Sequence, residues 1–356
     1  VNTPLLTGPE KSRVEALLHD RGDISPPFSG DQWLLPWLDL YVRASDRSCV
    51  HWQPSGEGGV LFPLMIRTVN RRGFSLRELR FLGTGDADAD EVATEYPDIT
   101  CDGVADADAA DMLAGYLQEG RGWDLFKAEA VLPDSVLARA LALCGAYRMA
   151  NGLRYCLAFT SDFEGWLSAL GPSSRSKFRR TLRRVEEKGL SLRLDVPVAE
   201  GLEALSHLHR LRWQAKGLQG VFVSHQFGEF HRRMLAERRL GAHMAGLYQG
   251  EVPLAFWYGF DFCGVRYFYQ GGFDPDAGDG FSPGEALHLL MIRDAISRRL
   301  RCYDFMKGRE DSWKSRFGIQ AEPIFDWVLP GKSVRGAMVR YGLHRSSRWQ
   351  KAGETG

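Results

Sequence analysis

Asp304 is an acid inside the otherwise largely apolar run RCYDFM, residues 301–306. In a strand, alternation separates Tyr303 and Phe305 from Cys302 and Asp304. Burial raises a carboxyl pKa, which makes Asp304 a candidate general base for a reacting amine. The competing reading is a structural carboxylate paired with Arg301, Lys314 or a helix N-terminus. Lys314 follows on a short helical turn. It is a candidate for stabilising negative charge at a reacting carbonyl or holding an anionic acceptor, and is equally at home as a surface lysine. Tyr267 and Tyr269 alternate onto one face of the preceding strand, RYFYQGGF. There they either line a donor cleft, with Tyr269 placed to protonate a leaving thiolate, or pack the core. The chemistry these groups suit is N-acylation by a thioester. It needs a neutral amine, a polarised carbonyl and protonation of the leaving thiolate, with backbone N–H groups available for the oxyanion.

The segment GGFDPDAGDGFSPGEALHLL joins that strand to a helix through Gly278, Gly280 and Gly284. Ser282 suits the N-cap, and Pro283 suits the first turn, where a missing N–H costs nothing. Free N–H groups at a helix start attract phosphate, and glycines let the backbone come close. Gln270 on the strand and Phe281 in the turn complete the expected donor-binding set. Many such turns hold no ligand, and the spacing is neither the P-loop nor the dinucleotide fingerprint. Residues 175–188, RSKFRRTLRRVEEK, carry seven basic side chains against two acids. On a helix, Arg179 lies one turn from Arg183 and Arg180 one turn from Arg184. Such pairs can grip an acceptor's phosphate or form a solvated face with Glu186 and Glu187.

The elements that must position these groups alternate between strand and helix. In the first half VEALLHD, DAADMLAGYLQEG and DSVLARALALCGAY read as helices, and GGVLFPLMIRTVN, DLFKAEAV and LRYCLAFT as strands. Two helices broken at Gly171-Pro172 follow. The second half adds the strand SLRLDVP, a helix ending at Gly217, a further helix, and three successive strands before the glycine-rich turn. The expected fold is α+β, two α/β halves of similar length, each a mixed central sheet flanked by helices. The expected boundaries are 1–165, 166–330 and a basic tail, 331–356. The 356 residues are 44% hydrophobic and 25% charged, ordinary globular values for two packed domains.

The formal net charge is zero, with 45 basic and 45 acidic residues, so nucleic acid is not an expected partner. Eleven acids and no Lys or Arg occupy residues 86–119, which read as a solvated face. Six scattered cysteines without a CxxC pair suit a reducing compartment, and no metal is expected. His207 and His209 point to different faces of their helix. DADADE lacks the glycine and terminal Glu of a calcium loop. No apolar leader or stretch of about 20 apolar residues is seen, so the expectation is a cytoplasmic protein with at most peripheral membrane contact.

The run from Gly272 to Gly318 resembles the C-terminal half of the CelD-like acyltransferases of the GNAT superfamily. In that family SPG opens the helix, and the next strand ends in a pattern like DF-x-x-G-x-E-x-x-[YW]-K. This chain supplies Ser282-Pro283-Gly284, Asp304-Phe305, Gly308, Glu310, Trp313 and Lys314. LHRLRWQAKG, VPLAFWYGF and residues 81–98 also look like that family. The Lys314-x-x-Phe317-Gly318 pattern and the basic helix are similar to the FemABX peptidyltransferases, built of two GNAT-like domains. The resemblance implies two tandem GNAT-like domains, with acetyl-CoA or another acyl-CoA as donor to the second. It also implies acceptor contacts from Arg212, Trp213, Lys307 and Glu310 beside Arg179 and Arg183. The acceptor is expected to be a small molecule or carrier-linked sugar in polysaccharide or envelope synthesis. FemABX-like aminoacyl or peptidyl transfer and a non-catalytic GNAT-derived binding module are the alternatives.

Overall fold

The computed structural model describes residues 8–20, 26–71, 73–86, 92, 94–214, 217, 222, 224–277 and 280–352. The fold is α+β, with a large mixed sheet and a smaller antiparallel one. Contacts divide the chain into residues 1–152 with 323–356, and residues 153–322.

The first unit begins with helices α1 (Gly8–His19) and α2 (Asp31–Tyr41). Strands β1 (Arg47–Ser48), β2 (His51–Ser55), β3 (Gly58–Phe62), β4 (Leu64–Arg71), β5 (Phe74–Phe81) and β6 (Thr100–Asp102) follow. Then come α3 (Asp106–Glu119), β7 (Leu125–Val131), α4 (Val136–Leu143) and β8 (Tyr147–Ala158), of which residues to 152 belong here. Strands β2, β3 and β6 form the small sheet. The other strands run in the order β1-β4-β5-β7-β14-β8, where β14 is Glu322–Pro330. Alternation along these strands buries Phe62, Ile66, Leu79, Phe81, Phe126 and Trp327 against Leu113 of α3 and Leu137 of α4. The basic C-terminal segment is folded into this unit as helix α10 (Val334–His344) and strand β15 (Gln350–Lys351), which pairs with β8.

In the second unit the strand order is β8-β13-β12-β11-β10-β9, counting β8 from Leu153. These strands are β9 (Leu190–Leu194), β10 (Ala242–Gln249), β11 (Val252–Phe262), β12 (Val265–Phe273) and β13 (Cys302–Gly308). The helices are α5 (Phe163–Ala169), α6 (Pro172–Glu187), α7 (Val198–Gln214), α8 (His225–Ala236) and α9 (Pro283–Ser297). Local sequence sets their ends. Asp162 accepts from the Gly165 amide to cap α5, Gly171-Pro172 breaks it from α6, and Gly189 follows α6 at φ +61°. Ser282 caps α9 by accepting from the Glu285 amide, with Pro283 at the first turn, as its sequence predicts. Helices α6 and α9 pack with the core of Trp166, Phe178, Trp257, Leu289, Phe305 and Phe317. Helix α7 packs on β11 and β12.

Candidate functional site

Parallel strands β12 and β13 pair at only three positions, Val265↔Cys302, Arg266↔Tyr303 and Tyr267↔Asp304. Beyond Tyr267 the ladder ends, and from Phe268 onward β12 borders a cavity of about 570 Å³. Aromatic and aliphatic groups form most of the wall: Trp257, Phe268, Phe273, Leu287 and Trp313. Polar groups enter from Lys177 of α6, Ser282, Glu285 and His288 of α9, and Arg316. An apolar chamber with a few convergent polar groups has the make-up of a small-molecule site.

The floor is a hydrogen-bonded chain. Trp257 Nε1 donates to Tyr303 Oη at 2.7 Å, and Tyr303 Oη lies 2.7 Å from His288 Nδ1. Indole nitrogen is only a donor, so Tyr303 Oη accepts from Trp257, which leaves the hydroxyl proton able to go to Nδ1; in that arrangement the imidazole proton sits on Nε2. Burial pushes the Tyr303 phenol far above its usual range, so it stays protonated in this role. Rings of Phe268, Trp313 and Phe305 stand 4.5, 5.0 and 5.1 Å from the imidazole and fix its plane.

The Ser282-Pro283-Gly284-Glu285 turn has the spacing of a capping box, but only half of one is made. Ser282 accepts from the Glu285 amide, while the Glu285 carboxylate turns to Lys177 Nζ and to Thr181 Oγ1. The basic helix α6 is thereby fastened to the start of α9. A Cβ on Gly284 would lie 3.0 Å from the Phe273 ring in the cavity wall, so that ring would have to give way. Gly272 lets α7 approach, since its Cβ would lie 2.5 Å from the His209 amide nitrogen.

Of the residues singled out from sequence, Ser282 and Gly284 line this cavity. Gly280 is exposed at φ +64°, Phe281 is buried in the core, and Gly278 lies outside the described residues. Tyr269 and Gln270 face away. The β11–β12 register shifts between Tyr258 and Gly259, a bulge that reverses alternation. Tyr269, next to cavity-lining Phe268, faces away by ordinary alternation and packs 5.0 Å from His231 of α8; the bulge brings Gln270, paired with Tyr258, to the same side. Arg179 and Arg183 are exposed on α6. Arg212 and Trp213 fall at the end of α7, with side chains outside those described. Lys307 is half-buried on β13 and Glu310 is exposed beyond it.

Asp304 and Lys314 meet at the backbone instead of in the cavity. Asp304 is fully buried on the face opposite Tyr303. It accepts from Arg154 Nε at 2.7 Å and from the Met306 amide at 2.7 Å. Burial raises its pKa, against the pull of Arg154, the Met306 amide and Lys314. Met306 adopts φ +61°, and the β8–β13 register shifts between Asp304 and Lys307. Buried Lys314 clasps that bulge, donating from Nζ to the carbonyls of Phe305 at 2.6 Å and Lys307 at 2.7 Å. Sequence reading missed Lys177, His288 and Arg316. His288 lies one helical turn after Gly284 on α9.

Residues 172–315 match the family described as an acetyltransferase (GNAT) domain. The match lies within the second unit, residues 153–322. FemX is 12% identical at TM-score 0.59, over 93% of this chain and 97% of its own. L-PGS from Bacillus licheniformis is 14% identical at TM-score 0.52, over 93% and 95%. The DUF2156 C-terminal domain of an Agrobacterium fabrum protein, described as a lysylphosphatidylglycerol synthetase, is 12% identical at TM-score 0.55, over 96% and 99%. At these identities the likeness is one of fold, and it does not single out the CelD-like family. No curated protein matches the chain. The GNAT domain match supports a transferase function. Among the described residues, no group of His, Cys, Asp and Glu could hold a metal ion, and no helix is long and apolar enough to cross a membrane.

Proposed function

We propose that the chain is an aminoacyl transferase of the FemX kind, moving an aminoacyl group from a polyanionic carrier to an amine. The observation that carries this reading is the position of the basic helix. Lys177 of α6 stands in the cavity wall, and Arg179, Arg180 and Arg183 of the same helix are exposed. An acyl-sized apolar chamber beside a cationic surface suits a small reactive end on a large anionic carrier such as tRNA. The amine attacks the donor ester carbonyl; the C–N bond forms and the carbonyl C–O bond breaks. The amine's proton passes to a base, and the carrier's alkoxide leaves with a proton. His288 is the group assigned to meet the carbonyl oxygen, through a proton assigned to Nε2, as charge develops there. Asp304 and Lys314 are assigned to hold the gap between β12 and β13 open.

A second reading, transfer from an acyl-CoA, is favoured by one feature: the Ser282–Gly284 turn is itself part of the wall, where a thioester's phosphates would meet the α9 N-terminus. Filter binding with charged and uncharged tRNA, beside calorimetry with acetyl-CoA, separates the two. We expect charged tRNA to bind at least about tenfold more tightly than uncharged, a difference of about 1.4 kcal/mol assigned to the aminoacyl end. Equal affinity for the two tRNAs with clear acetyl-CoA binding would establish the second reading. Binding of neither donor would refute both.

A further inference from the structure

Helix α10 carries an apolar stripe on its outer side. Val334, Met338 and Tyr341 are 82%, 55% and 64% exposed, and at helical spacing they share one face. The opposite face is spoken for: Gly336 and Leu343 are buried, and Val339 packs with Leu343 against Leu76, Leu125, Tyr147 and Val328. Phe74, two residues before Leu76 and on the same face of β5, is 59% exposed and adds to the uncovered apolar surface.

Charge frames the stripe. Lys332, Arg335, Arg340, Arg345, Arg348 and Lys351 lie along residues 331–352, and no acid occurs between Asp326 and Glu354. On a helical wheel Arg335 and Arg340 fall on either flank of Val334–Met338–Tyr341. Arg345 ends the stripe, with its guanidinium 5.6 Å from the Tyr341 ring centroid and bonded to the Tyr341 hydroxyl. The helix is pinned at its start. Ser333 caps it through the Gly336 amide and donates to Asp124, itself held by Arg77. A rigid helix with exposed aliphatic and tyrosyl groups between cations has the pattern of an interfacial segment. The apolar groups enter the acyl boundary while arginine stems reach back to phosphates.

We propose that this face of the first unit docks on an anionic phospholipid bilayer. The apolar stripe favours a membrane over nucleic acid, which would meet the arginines but leave Val334 and Met338 in water. The basic framing, in which Arg335 also reaches Asp124 at 3.9 Å, favours a lipid surface over a second copy, in which like charges would face one another. This inference is independent of the acyl-transfer reading.

The test is co-sedimentation of the full chain with vesicles of phosphatidylcholine alone, or with about one-third phosphatidylglycerol. The expected result is binding to the anionic vesicles at least about tenfold tighter than to neutral ones, weakened by salt. Val334→Glu with Met338→Glu should reduce it about tenfold or more with an unchanged melting temperature, because both side chains are exposed. Arg340→Glu with Arg345→Glu should erase the preference for anionic lipid. No binding at physiological salt overturns the proposal, as does binding indifferent to the Val334 and Met338 changes. RNA binding that is lost with Arg340→Glu and Arg345→Glu, while vesicle binding is indifferent to the Val334 and Met338 changes, would reassign the face to nucleic acid. A concentration-dependent dimer dissolved by Met338→Glu would reassign it to self-association.

Discussion

Lys314→Met separates a positioning role for the lysine from a chemical one. Methionine keeps much of the apolar stem and removes the ammonium, which makes two short bonds to the carbonyls of Phe305 and Lys307. A hydrogen bond to a charged group contributes about 1.5–3 kcal/mol net, so the pair contributes roughly 3–6 kcal/mol. Relief from burying an ammonium offsets part of this, leaving a loss of about 2–4 kcal/mol. For a unit the size of residues 153–322, that corresponds to a fall in melting temperature of roughly 4–16 °C.

Near-ultraviolet circular dichroism is the suitable readout, because Trp313, Phe305 and Phe317 cluster around the bulge that Lys314 holds. Donor affinity should fall with the same variant, since Trp313 and Arg316 of that turn line the cavity. A folded Lys314→Met chain with unchanged melting and abolished transfer would refute the reasoning, and the lysine would then act on the reacting carbonyl.

His288→Ala should lower single-turnover transfer about 100-fold or more with the chain folded, and Tyr303→Phe only about 3–10-fold, because it loosens the imidazole without removing it. Equal effects of the two would argue against a direct role for His288. Gly284→Asp places a side chain at the 3.0 Å approach to Phe273 and a negative charge in the turn, and donor affinity measured by calorimetry should drop at least about tenfold. Asp124 supplies a pH test. Burial favours its neutral form, but Arg77, the Arg77 amide and Ser333 outweigh this and hold its pKa at about 2. A depressed carboxyl pKa stabilises the fold above the unfolded value near 4 and loses that contribution as pH falls toward 2. Urea midpoints taken from pH 5 to 2.5 should therefore fall more steeply for the native chain than for Asp124→Asn. Parallel curves would contradict the assignment.

Local signals carried much of this reading. The Ser282 cap, the Pro283 start and the break at Gly171-Pro172 each depend on a few neighbouring residues, and each recurs in the structure. The strand parity of Tyr303 against Asp304 was legible for the same reason. What failed was parity across an irregularity. In YFYQ an uninterrupted strand sets Phe268 and Gln270 on one face, but the shift between Tyr258 and Gly259 turns Gln270 away. Nothing in the four letters encodes that shift, because it depends on the partner strand.

The assignment of chemistry to Asp304 and Lys314 met a related limit. A buried carboxylate and a buried lysine in one motif fit a catalytic pair as well as two clamps on one bulge. Sequence reports residue type and spacing, and both readings need the same ones. The partners of the two residues favour the clamp reading, which the Lys314→Met variant tests. Both carboxylate oxygens of Asp304 and the ammonium of Lys314 bond to the backbone or to Arg154. His288 is placed differently. It was obscured because α9 is buried nearly all round, with a histidine among Leu287, Leu289, Leu290 and Met291. A lone histidine in such a helix reads as core until its Nδ1 partner is known. Tyr303 is that partner, fifteen residues away on β13. The bond that orients His288 in the cavity wall is thus a tertiary fact, set by the packing of α9 against the strand where the sheet begins to part.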